Sequence, residues 1–111
     1  MFAEFDDFIR ELTETIQKLL PELEVEIVYK RIDKVSLRII KTQSLFIDIY
    51  ANTETNRYDF SLIKDTERIF GYDNLGGWHY HPMKNPEQHI KCNEPSLMNI
   101  LKEITIAMSD V

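Results

Sequence analysis

Apolar residues Phe2, Phe5, Phe8, Ile9, Leu12, Ile16, Leu19 and Leu20 recur at steps of three and four. That spacing predicts one buried face of an amphipathic helix, ending before Pro21. From Leu23 the period drops to two, with Leu23, Val25, Ile27 and Tyr29 alternating with Glu22, Glu24 and Glu26. Asp33 and Lys34 separate this first strand from a second at 35–40, and Thr42 and Gln43 separate that from a third at 45–50. The polar run 52–56 is a loop. Residues 57–62 and 68–72 read as another hairpin, turning at Lys64, Asp65 and Thr66. Pro95 and Ser96 then precede Leu97, Ile100, Leu101, Ile104 and Met108, which predicts a second helix with its N-terminus at that point.

The pattern predicts an α+β fold: a five-stranded antiparallel meander with N- and C-terminal helices in a two-layer sandwich. No repeat or linker divides it, so residues 1–111 read as a single domain. Leu12, Ile16, Ile27, Leu37, Ile39, Ile47, Leu62, Leu101 and Ile104 are expected in the core. Strand alternation puts Arg38, Asp48, Arg57 and Asp59 on the opposite sheet face.

The chain has 43% hydrophobic and 29% charged residues, within the range of ordinary globular proteins. A domain of 111 residues needs no disulfide or metal merely to fold. The single cysteine, Cys92, has no internal partner, which fits a reducing cytoplasm. No signal peptide or membrane-spanning run is expected. The formal charge of −6 argues against broad, charge-driven binding to nucleic acid but leaves room for a small RNA site. Two open sheet edges would allow a homodimer.

All three histidines, all three glycines, the only tryptophan and two of the four prolines lie between Gly71 and His89. His79 and His81 are two residues apart, so on extended backbone both imidazoles point to one side. Three readings follow. In metal-free acid–base chemistry, the histidines exchange protons with a ribose hydroxyl and a leaving oxygen, with Arg57, Arg38 or Lys84 steadying the phosphate. That reading takes Asp73, His79, His81 and His89 as the active centre, with no cofactor. Alternatively, His79 and His81, joined by His89 or Asp73, hold a divalent metal. In the third, the segment is packed structure or a non-catalytic protein-binding surface. Gly76 and Gly77 are expected to supply positive φ, and Asp73 and Asn74 a turn.

The order Tyr72-Asp73-Asn74, a His/Pro cluster, Glu94-Pro95-Ser96-Leu97 and an amphipathic terminal helix resembles the TumE-like toxin family of prokaryotic toxin–antitoxin systems. Arg57-Tyr58-Asp59-Phe60 resembles that family's strand before its Asp-Asn pair. Where members carry adjacent histidines, this chain has His79-Tyr80-His81-Pro82 and a separate His89. The resemblance implies a small cytoplasmic toxin with an antitoxin partner. From the histidines comes the further expectation of a metal-independent ribonuclease acting on RNA.

Overall fold

Turn chemistry sets the course of the chain in the computed structural model, which describes residues 1–111. Helix α1 (Phe5–Leu19) leads into strands β1 (Glu24–Lys30), β2 (Lys34–Thr42), β3 (Leu45–Asn52), β4 (Arg57–Lys64) and β5 (Glu67–Asp73). Asp65 and Thr66 both have positive φ, 50° and 71°, as a two-residue hairpin loop with the right strand twist requires. Beyond β5, Gly76 and Gly77 (φ 71° and 110°) reverse the chain into β6 (His79–His81). A loop through Pro82 and Pro86 returns it as β7 (Ile90–Lys91), before helix α2 (Leu97–Ser109). The Ser96 hydroxyl caps α2 by accepting from the Asn99 N–H at 3.1 Å.

The five-stranded meander in a two-layer sandwich is therefore corrected. The protein has a seven-stranded antiparallel sheet, ordered β1 to β7 as in the chain and flanked by two helices. The two extra strands, three and two residues long, are too short to show a period, and their Gly/Pro surroundings read as irregular.

Register sorts the side chains. Leu37, Ile49, Phe60 and Tyr72 align across β2 to β5, as do Ile39, Ile47, Leu62 and Phe70. The helices cover this face: the Phe8 ring lies 5.6 Å from that of Tyr58, and the Tyr72 hydroxyl donates to Glu103 of α2. Leu12, Ile16, Leu101 and Ile104 join the same core. Ile27 does not. It is 58% exposed, because β1 is an edge strand that α1 only partly overlies. Ile47 is fully buried at the centre of the sheet. An Ile47→Ala variant is expected to lose about 2–5 kcal/mol in urea denaturation.

The opposite face carries Tyr50, Asp59, Asp73 and His79 in one row, and Arg38, Asp48, Ser61, Gly71 and His81 in the next. A bulge sits between β4 and β5, where Leu62 pairs with Phe70 but Ile63 pairs with Arg68. The extra residue, Ile69, rotates Arg68 onto this polar face; in continuous register it would point into the core.

Candidate metal centre

Alternation along β6 puts His79 and His81 on one side, with their rings 5.0 Å apart and edge to face. Pairing of β6 with β5 sets Asp73 directly opposite His79 and Gly71 opposite His81. A side chain at Gly71 would collide with the Phe60 carbonyl oxygen, 2.5 Å from its Cβ, so β4 and β5 meet closely there. The 82–89 loop then folds back. It carries His89 to 4.8 Å from the His79 ring and 4.5 Å from the His81 ring. One nitrogen from each of the three imidazoles lies within 4.8 Å of the others. His79 and His81 are buried, and His89 is exposed at the mouth of the cluster.

The ring orientations are informative. His79 Nδ1 is 3.0 Å from the Gly77 carbonyl oxygen, and His81 Nδ1 is 2.9 Å from that of Pro86. A carbonyl oxygen only accepts, so both Nδ1 atoms carry hydrogen and donate. In the neutral rings both Nε2 lone pairs then turn inward, onto Asp73. His81 Nε2 is 3.0 Å from Asp73 Oδ2, and His79 Nε2 is 3.2 Å from Oδ1. His79 Nε2 is also buried without a hydrogen-bond partner. Two lone pairs facing a carboxylate repel one another unless a cation lies between them. A proton on His81 Nε2 meets part of that need; a metal ion meets all of it.

Donor types suit a metal. Tetrahedral ligands at about 2.0–2.1 Å stand about 3.3 Å from one another. The His–Asp separations are close to this, and the three imidazole nitrogens, up to 4.8 Å apart, would have to draw together around an ion. Metal-bound histidines commonly donate their second N–H to a backbone carbonyl, which fixes ring and tautomer, as Gly77 and Pro86 do for these two.

Asp73 is the hub of the arrangement. Burial works against its ionisation. The Leu75 N–H outweighs it, together with His81, with His79 where that ring carries a second proton, and with the charge of Arg57, and the carboxyl is held below the usual range. Oδ1 accepts from the Leu75 N–H at 2.9 Å, the turn role expected of this residue. Asn74 instead clamps β4, accepting from the Tyr58 N–H at 2.8 Å.

The cations divide. Arg57 approaches Asp73 Oδ1 at 4.0 Å, so the structure brings it to the cluster. Arg38 belongs elsewhere: it pairs with Asp48 at 3.7 Å and lies over the Phe46 ring. In register it is four strands from His81, about 19 Å at the usual strand spacing. Lys84 is exposed on the 82–89 loop and makes no salt bridge. The residue missed by sequence reasoning is Arg68, whose Nη1 is 3.8 Å from Asp73 Oδ2. Only the bulge brings it there, and no periodicity announces a bulge.

Cys92 is half-buried near Tyr72 and Glu103. Burial, then the Glu103 charge, pushes its thiol up. Since the thiolate is the reactive form, iodoacetamide should alkylate Cys92 more slowly at pH 8 than a free cysteine. The rate should still be climbing where free cysteine has levelled off.

No family model matches the chain, and neither a curated protein nor a solved structure matches it.

Proposed function

We propose that His79, His81 and His89 form a divalent transition-metal site, with Asp73 as a fourth ligand or as the carboxylate that orients the imidazoles. The observation that carries this reading is the inward turn of two buried Nε2 atoms onto one carboxylate, each held from behind by a backbone carbonyl. Imidazole with one carboxylate is a donor set suited to zinc, nickel, cobalt or iron. Exposed His89 leaves the outer side of the site open. A metal open on that side supplies Lewis acidity and an activated water, which makes a metal-dependent hydrolase the preferred activity.

Metal-free acid–base chemistry is less well supported. Both nitrogens of His79 and both of His81 already face protein oxygens, leaving His89 alone facing solvent. Two imidazoles reaching one phosphate would require the cluster to open.

The test is calorimetric titration of untagged, chelator-treated protein with zinc and with cobalt(II). One ion per chain is expected, with affinity falling on acidification because protons compete for the ring nitrogens. Uptake no stronger than that of the His81→Ala variant would overturn the reading.

The TumE-like resemblance across 72–97 favours use of this centre in a toxin with an antitoxin partner, because Asp73, His79 and His81, which carry the resemblance, cluster there with the separate His89. Expression of the intact chain should then arrest growth, and His89→Ala should relieve the arrest. Unimpaired growth at matched protein levels would remove the toxin role and leave the metal site standing.

A further inference from the structure

Beside the histidine cluster, on the same open sheet face, lies a shallow basin of about 380 Å³ whose lining includes Asp48, Tyr50, Arg57, Asp59, Ser61 and Arg68. Its two arginines both reach Asp73, so basin and cluster share a wall. Arg68 is the unusual member. Its side chain is only 34% exposed, yet it makes no hydrogen bond within the protein, and its approach to Asp73 at 3.8 Å is longer than a hydrogen bond. Arg57 is partly engaged, donating through Nη1 to the Tyr58 carbonyl at 2.7 Å, while its Nη2 stays 3.8 Å from Asp59. Guanidinium donors are therefore left over on both sides of the basin.

We propose that this basin binds a phosphoryl group of the substrate, its oxygens shared among Arg68, Arg57 and the metal of the histidine cluster. The inference rests on the metal reading above and adds the substrate class to it. Charge supports an anion once the ion is bound: two guanidinium groups and a divalent ion face three carboxylates, Asp48, Asp59 and Asp73, of which Asp48 is paired with Arg38, which leaves the site positive. Phosphate suits the site better than carboxylate: Arg57 of β4, Arg68 of β5 and a bound ion would supply three separate partners for three phosphoryl oxygens, whereas a carboxylate offers two oxygens in one plane. The bulge at Ile69 thus has a purpose, since it alone brings Arg68 to this face.

The experiment uses cobalt(II)-loaded protein titrated with inorganic phosphate, read by the visible spectrum of the metal, with acetate as control. Phosphate is expected to shift the spectrum saturably and acetate to do so much more weakly. Arg68→Gln should weaken phosphate binding by about tenfold or more, with cobalt affinity within a few-fold of the parent. Arg68→Lys should fall between, since it keeps the charge and loses the fork. A normal melting temperature in each variant establishes that the fold is intact. If cobalt binds and phosphate leaves the spectrum unchanged, the phosphoryl site is overturned. Equal phosphate affinity in parent and both Arg68 variants overturns it too. If cobalt itself fails to bind, the metal centre fails first and this inference with it.

Discussion

Replacing His89 with Ala is expected to cut metal affinity on the order of a hundredfold while leaving the stability of the metal-free protein unchanged. His89 is exposed and its ring takes part in no hydrogen bond, so the metal-free fold has little to lose. A metal bound by three imidazoles loses a full ligand, a larger change than loss of a supporting hydrogen bond, which already costs about 10–100-fold. His81→Ala should behave differently. His81 is fully buried and bonded to both Pro86 and Asp73, so its removal lowers metal affinity and stability together. Calorimetry and thermal melting of the two variants separate these roles. Unchanged metal affinity in His89→Ala would remove His89 from the ligand set. The site would then comprise only the His79, His81 and Asp73 donors of β5 and β6.

The elements that sequence predicts well are those long enough to show a period. Helix α2 begins at Leu97, after the Ser96 cap, where Pro95 and Ser96 placed its start. The β4–β5 hairpin turns at Asp65 and Thr66 as expected. Alternation likewise put Arg57 and Asp59 on the polar face with Asp48 and Arg38. Membership of a face does not give position along it, which is why Arg38 lies on the correct side and strands away from the histidines. Ile27 fails for a related reason: alternation marks an inward-facing residue but not whether a helix lies above it. Pairing of His79 with Asp73 depends on β6, a strand of three residues, and Arg68 depends on a single inserted residue in β5. Both are tertiary choices. They bring donors together from separate strands, and local spacing carries no trace of them.

Asp73 offers the widest separation between two substitutions at one position. Asp73→Ala is expected to destabilise the metal-free protein by about 3–5 kcal/mol, the usual effect of deleting one member of a buried charged network. It strips the acceptor from the Leu75 N–H, leaves His81 Nε2 facing a void, and removes the anion between Arg57 and Arg68. Asp73→Asn should cost much less. Its amide oxygen still accepts from Leu75, while its NH2 donates to an inward-facing imidazole nitrogen, satisfying the lone pair that the parent leaves against a carboxylate. The same exchange disables the metal site. A neutral amide is a weaker ligand, and its N–H occupies the space a cation would fill. Asp73→Asn should therefore fold and bind metal at least about tenfold more weakly, while Asp73→Ala should melt early. Denaturant unfolding followed by metal titration distinguishes the two. Parent-like metal affinity in Asp73→Asn would place the carboxylate outside the metal's reach and restrict it to holding β5 and β6 in register.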